Sequence, residues 1–595
     1  MTRQRQPKSI HQEEALGKVF EPQLVRRLAT YLKPYSWLVA LSIVLLLITA
    51  GLEQLSPYLT KVAIDDHMAT GDFKGLVGIV LLFIALYVAL GLLRVAQAMV
   101  TGWVGERVIY DLRQEIFAHI QKQSLRFHDR NPVGRLVTRV TSDVQTLSEI
   151  FSSGVVVVFG DLFTLIGIVI AMFLLEWRMA LVSIAVVPLM IAATFFYRTR
   201  LREAFREVRL KTASLNAFLQ EHLSGVRIVQ LFSIEKKTSE RFANANDELR
   251  EGHLKTVRLF SIFFPILELI SALALALIVL RGGYLSLNGV ISIGMVVAFI
   301  QYTERFFHPI RDLAEKWNIF QSGMASAERV FNLLDSKPAI TDPEEPVHRD
   351  HLEGRVEFRD VRFSYDGEEE VLHGVDFTIE PGETVAIVGA TGAGKSTIIN
   401  LAGRFYDVTG GQVLMDGVDV RDWKRDQLLH HIAYVPQDIF LFSGTIRENI
   451  TLGADFSDES VREAAKTVHA DHFIERLPGG YEEPVTERGS TLSSGQRQLL
   501  SFARAIVRDP ALLILDEATS SVDPETESLI QDAMQRLMKG RTSIIVAHRL
   551  STIQRADKIL VMHKGLLRES GTHKELLQQK GLYWKLFQVQ YKRAA

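Results

Sequence analysis

Residues Thr384–Asn400 read TVAIVGATGAGKSTIIN. Thr384–Val388 has the composition of a buried strand. Gly389 to Ser396 then fits G-x-x-x-x-G-K-S, and the residues from Thr397 onward favour a helix. A glycine-rich turn in this setting lets backbone amides surround phosphate oxygens with no side chain in the way. Gly389, Thr391, Gly392, Gly394 and Thr397 are therefore candidates to cradle phosphates. Lys395 is suited to the β- and γ-phosphates, and Ser396 offers its hydroxyl to Mg2+. The N-terminus of the helix adds favourable partial charge. A strand–loop–helix unit of this kind belongs to an α/β fold with a largely parallel sheet.

Three more apolar runs end in chemically useful residues. ALLILDE ends in Asp516 and Glu517. Asp516 is placed to hold Mg2+, and Glu517 to orient or deprotonate an attacking water. RTSIIVAHR ends in His548, suited to a γ-phosphate or to the water, and IAYVPQD runs to Gln437, whose amide suits the metal and the water. VRFSYDG offers Tyr365 as a flat face for an adenine ring, although strand tyrosines are commonly packing residues. Together these groups support phosphoryl transfer from a nucleotide to water, and no acceptor-binding signature for a kinase accompanies them.

The chain has 595 residues, which implies several domains. Its net charge of −2 gives no argument for nucleic-acid binding. It contains no cysteine, which excludes disulfides, cysteine-ligated zinc and thiol catalysis. The apolar excess lies in the first half. Long apolar stretches cover Trp37–Leu59, Leu76–Val100, Val155–Leu175, Met179–Tyr197, Phe260–Leu280 and Val290–Phe307. A bilayer-spanning helix needs about 20 mostly apolar residues, so about six spans are expected.

The long connections after the second and fourth spans carry many basic residues, including Arg113, Arg126, Arg139, Arg198, Arg206 and Lys211. Positive charge gathers on the cytoplasmic side, which places both connections and both chain ends there. The first twenty residues contain no apolar core of signal-peptide length, so targeting is expected to use the internal spans. Pro22–Pro34 has one apolar helical face, consistent with a helix on a membrane surface or one docked on protein. SKPAITDPEEPVHRD reads as a linker. The expected organisation is an N-terminal tail and amphipathic helix over 1–35, an all-α transmembrane domain over 36–335, a linker over 336–350, and an α/β nucleotide-binding domain over 351–595.

At this point the sequence resembles an ABC transporter of the exporter type. GATGAGKST, YVPQD, TERGSTLSSGQRQ, LLILDE, SSVD and AHR occur in the family's order. FHDRNPVGRLVTRVTSDV and EHLSGVRIVQLF resemble its two intracellular loops, whose short coupling helices dock on the nucleotide domains. The resemblance implies a dimer that hydrolyses ATP with Mg2+ and alternates between inward- and outward-facing states. Each ATP would lie between one chain's phosphate loop and the other's signature, here Ser493, Ser494, Gly495 and Gln496. Asp523 would carry communication between the two sites.

The family's signature usually has glycine where Ser494 stands. Glycine permits positive φ and a close backbone approach, whereas serine adds a Cβ and a hydroxyl. The altered signature beside an intact catalytic acid resembles heterodimeric bacterial multidrug exporters. The expected partner is a second half-transporter, the alternative being a homodimer that tolerates serine.

Charges within the spans, Glu53, Asp161 and Glu268, are candidates for a substrate pathway, or for pairing with a neighbouring helix. Glu268, with Phe263, Phe264 and Phe306 nearby, suits a hydrophobic or cationic amphiphile; the rings equally suit lipid-facing packing. The reading is a multi-pass protein of the cytoplasmic (inner) membrane, in contact with lipids and not nucleic acid. It would export amphiphilic drugs or lipids. Alternatives are a homodimeric lipid or peptide exporter and an ATP-gated channel.

Overall fold

The computed structural model describes residues 22–151, 155–516, 524–547 and 549–590. The chain forms two compact units. One takes in the chain up to His119 together with Leu136–Asp335; the other takes in Ile120–Arg135 and the chain from Ser336 onward.

The first unit is helical. Its main helices are Ser36–Glu53, Leu55–Val62, Phe73–Lys122, Val155–Leu175, Val187–Ser224, Glu235–Leu287 and Ile293–Leu334. All six expected spans fall on helices. Four stretches are long and apolar enough to cross a membrane: Pro22–Met68, Phe73–Lys122, Trp177–Ser224 and Glu235–Leu287. The helix Val155–Leu175 has 21 residues and is apolar almost throughout. In Ile293–Leu334 the apolar run is cut short by Glu304 and Arg305. Besides those four candidate spans among the described residues, the helices Val155–Leu175 and Ile293–Leu334 stand at the other two expected positions. The helices outrun the bilayer: Phe73–Lys122 has 50 residues and Glu235–Leu287 has 53. At 1.5 Å per residue each is about 75 Å or more, against about 30 Å of hydrocarbon.

The expected fourth span is interrupted. The helix Trp177–Ile184 ends at Ala185, and a new helix starts at Val187 with Pro188 in its first turn. Proline is tolerated there because that N–H has no intrahelical acceptor. The amphipathic helix Pro22–Leu32 is docked on protein. Leu28 is buried, Arg27 pairs with Asp335 at 2.7 Å, and Tyr31 donates to Glu115 at 2.7 Å.

The second unit carries two principal sheets. The antiparallel one orders its strands Leu372–Ile379, Val356–Phe363, Gly410–Met415 and Val418–Asp419. The larger one orders Leu566–Gly571, Lys558–His563, Thr384–Val388, Thr542–Val546, Leu512–Asp516 and Ile432–Val435. Only the first pair of this sheet is antiparallel. The parallel strands are apolar almost throughout because both faces are covered, as Ile544, Ile545, Leu513 and Ile514 show at 0% exposure.

The segment expected as a linker lies on this unit. Arg404, 2% exposed, donates to the Thr341 carbonyl at 3.2 Å and to the Trp423 carbonyl at 2.8 Å. Asp342 accepts from the Arg425 N–H at 2.8 Å, and Val347 bridges to Trp423 in parallel. Its prolines suppress regular structure, and its backbone groups are satisfied by the domain beside it.

Candidate nucleotide site

Register sets the site. Val546 lies opposite Ile387 on one side and opposite Asp516 on the other. The strands are parallel, so the phosphate loop, Asp516 and the residues after Val435 and Val546 all emerge at one sheet edge. Ligands of open α/β sheets bind at that edge. Gln437 follows Val435 closely and is exposed. Glu517, His548 and Asp523 lie outside the described residues.

The phosphate loop requires its glycines. Gly394 has φ of 98°, and a Cβ there would meet Leu372 Cδ2 at 2.7 Å. At Gly389 a Cβ would come within 2.3 Å of the Met562 carbonyl oxygen. Thr391 and Gly392 are exposed on the loop, and Thr397 is buried in the first turn of the helix that follows. Lys395 is 8% exposed and donates to the carbonyls of Gly389 at 2.9 Å and Ala390 at 3.1 Å. Burial lowers the pKa of its ammonium, while the nearby Asp516 charge acts in the opposite direction. Burial and Asp516 together push the Tyr434 hydroxyl up to about 12.

Ser396 is exposed at the start of the helix Lys395–Ala402, and Asp516 is half-buried at the end of its strand. A hydroxyl, a carboxylate and the amide of Gln437 are oxygen donors of the kind Mg2+ takes. The residues present therefore fit that ion beside a nucleotide.

Tyr365 is half-buried. Its ring packs edge-on against Tyr406, with centroids 5.1 Å apart, and its hydroxyl meets that of Thr397 at 3.2 Å. It thus sits beside the phosphate-loop helix within an aromatic cluster, a packing arrangement next to the site.

The signature segment is a helix start. Ser493 Oγ accepts from the Gln496 N–H at 3.2 Å, and Gln496 Oε1 accepts from the Ser493 N–H at 2.9 Å. This reciprocal cap satisfies two donors of the helix Ser494–Ile506. Ser494 is the first helical residue and is exposed, and it is absent from the positive-φ residues. The expectation that glycine serves positive φ there does not hold: a residue in the first helical turn has ordinary φ, so serine adds no backbone strain. Gly495 is the tight position, since a Cβ would meet Thr526 Cγ2 at 2.2 Å.

Sequence reasoning missed Arg504 and Asn449. Arg504 donates to the carbonyls of Asn449 at 2.8 Å and Phe440 at 3.0 Å. Asn449 brackets Phe442, accepting from its N–H and donating to its carbonyl, both at 2.8 Å. These bonds tie the signature helix to the segment after Gln437. No local pattern signals them, because the partners are some fifty residues apart.

The three pathway candidates lie on three different helices. Glu53 pairs with Arg94 at 2.5 Å, and Arg305 donates to the Glu53 carbonyl at 2.7 Å. Asp161 is half-buried and Glu268 exposed, each on its own helix. For Glu53 the pairing with a neighbouring helix is what the structure contains.

A family model for the ABC transporter transmembrane region matches residues 39–310, and a second model, for the ABC transporter, matches residues 372–520. The chain belongs to the ABC transporters. It is an exporter-type half-transporter, with membrane region and ATPase in one chain. It is 40% identical to an ABC transporter ATP-binding protein of Bacillus subtilis, YknV, over 98% of this chain and 97% of that protein. It is 38% identical to an ATP-dependent lipid A-core flippase of Syntrophus aciditrophicus, covering 96% and 95% of the two chains. A putative multidrug export ATP-binding/permease protein of Bacillus subtilis, YgaD, is 36% identical over 95% and 99%. The protein is an ATPase coupled to membrane transport.

Proposed function

We propose that this chain is one half of a dimeric exporter that uses ATP hydrolysis to move amphiphilic drugs or lipids out across the cytoplasmic membrane by alternating access. One observation carries the reading. A phosphate loop and Asp516 emerge at one sheet edge in a chain that also has helices of membrane-crossing length. The multidrug and lipid flippase relatives support export in this direction, and the basic residues of the long connections support a cytoplasmic nucleotide domain.

The chain's own groups divide the work. The loop amides and Lys395 bind and orient the phosphates. Ser396, Asp516 and Gln437 would hold Mg2+, which supplies charge neutralisation at the β- and γ-phosphates. Glu517 accepts the proton of the attacking water, and His548 holds the γ-phosphate side of the reaction. Ser493 to Gln496 face the nucleotide of the other chain. Binding then favours the closed pair of domains, and hydrolysis removes that preference.

We favour a partner that is a second, non-identical half-transporter. The support is the Cβ and hydroxyl that Ser494 adds to a surface meeting phosphate; backbone strain lends it none. A stable dimer of this chain alone, with full drug-stimulated ATPase activity, overturns the heterodimer. ATP-dependent accumulation of an amphiphilic dye in inverted membrane vesicles, lost in Glu517→Gln, tests export itself. Electrical conductance without accumulation would instead establish a channel.

A further inference from the structure

The segment that carries Gln437 has no regular structure, yet it is held on both sides. Before it, the strand Ile432–Val435 pairs in parallel with Leu512–Asp516. After it, Leu441 is fully buried, while Phe440 and Phe442 stand exposed with ring centroids 5.1 Å apart. The backbone of this out–in–out stretch belongs to no strand among the described residues, and side chains serve it instead. Asn449, 1% exposed, brackets Phe442 from both of its backbone groups and also donates to the Thr445 carbonyl at 3.1 Å. Arg504, on the signature helix, donates to the Phe440 carbonyl, to the Asn449 carbonyl and, at 3.3 Å, to Asn449 Oδ1.

A guanidinium is a demanding choice for that task. The described partners of Arg504 are all carbonyl oxygens, and burial first, then Arg508, lowers its pKa. A buried charge that lacks a counter-charge carries a desolvation cost that neutral acceptors offset only in part. What the guanidinium adds is a planar fork of donors in fixed directions, which holds Phe440 and Asn449 in one geometry. Only residues 436–439 then lie between the strand and the clamp. Without the clamp the loose stretch would run to Gly444, where the next strand begins. A longer loose stretch has more conformations in which Gln437 is misplaced.

We propose that Arg504 and Asn449 are positioning residues for ATP hydrolysis. They set the place of Gln437 by fixing the segment after it to the signature helix. The inference rests on the reading of Gln437 as a group that meets Mg2+ and the attacking water. Arg504 and Asn449 touch neither; they act through Gln437.

Two measurements on the full-length protein test this. In hydrogen exchange without nucleotide or metal, Arg504→Lys, which keeps the charge and loses the fork, should speed exchange over residues 436–443 about tenfold and leave the strand Leu512–Asp516 unchanged. Unchanged exchange over 436–443 overturns the proposal. In ATPase assays, with rates divided by nucleotide bound at saturation so that unfolded protein does not count, Arg504→Lys and Asn449→Asp should each lower kcat about tenfold. The KM for ATP should change less than about twofold. Neither should lower kcat further in the Gln437→Ala background, because the group they place is gone. A purely structural role would lower the melting temperature and leave that kcat intact, which overturns the positioning role. Gln437→Ala with full kcat overturns the reading of Gln437, and the proposal with it. An impaired Gln437→Ala on which Arg504→Lys still acts in full overturns the positioning role alone.

Discussion

The ammonium of Lys395 donates to the Gly389 carbonyl at 2.9 Å, so the phosphate loop is closed on its own lysine. The Gly389 and Ala390 carbonyls engage two of the three N–H donors of that ammonium and aim it along the loop, which leaves one for a nucleotide phosphate. Lys395→Ala should reduce ATPase activity by about 100-fold or more, in line with loss of a placed donor. Nucleotide binding measured by fluorescence titration should weaken in parallel, with the melting temperature of the domain little changed.

Neighbouring positions of the signature helix should respond to different extents. Gly495→Ala drives a Cβ into Thr526, which is β-branched and stiff. It should cost about 1–3 kcal/mol, read as a lower melting temperature. Ser494→Gly should cost less than about 1 kcal/mol, since its backbone needs nothing that glycine alone supplies. An effect of Ser494→Gly on ATPase activity without one on stability would mark the serine as a contact to the other chain's nucleotide.

Glu53 and Arg94 should behave as a unit. Glu53→Gln leaves the Arg94 guanidinium without its carboxylate, and should lower the melting temperature of the solubilised protein. Arg94→Gln in the same background should restore part of the loss. A coupling of about 1 kcal/mol in the double-mutant cycle is expected. Additive effects would remove the pair as the reason for a charge in this span.

Stability should fall on acidification through the histidines of the nucleotide domain. His573 Nδ1 lies 2.6 Å from the Tyr583 hydroxyl, and burial holds its pKa below the ordinary 6.5. His431 is shifted the same way, by burial first and then by His430 and His351. The unfolded chain therefore takes up these protons more readily. Stabilisation is complete above about pH 6.5 and is lost as pH falls through the folded values. Melting temperatures recorded from about pH 8 down to 5 should decline in that window, and His573→Asn should flatten part of the decline.

The positions of the candidate residues were legible because their types leave little choice. A close backbone turn at Gly394 needs glycine, and a strand that ends in Asp516 announces its edge. What stayed hidden depends on neighbours distant in sequence. Nothing around Glu53 names Arg94 as its partner, and nothing around Thr341 indicates a buried arginine waiting for its carbonyl. The Ser493–Gln496 cap was legible as S-x-x-Q at a helix start. The break before Val187 did carry a signal, Pro188, set within an apolar run that looks the same on both sides of it.

The docking of residues 341–349 on Arg404, Trp423 and Arg425 changes where this protein can be divided. A soluble ATPase fragment begun at residue 351 would strip Arg404 of an acceptor and leave the Arg425 N–H without Asp342. One begun at residue 336 would carry that strap with it and keep both bonds. The practical edge of the ATPase thus falls before the proline-rich stretch, and those fifteen residues belong to the machine they were expected merely to connect.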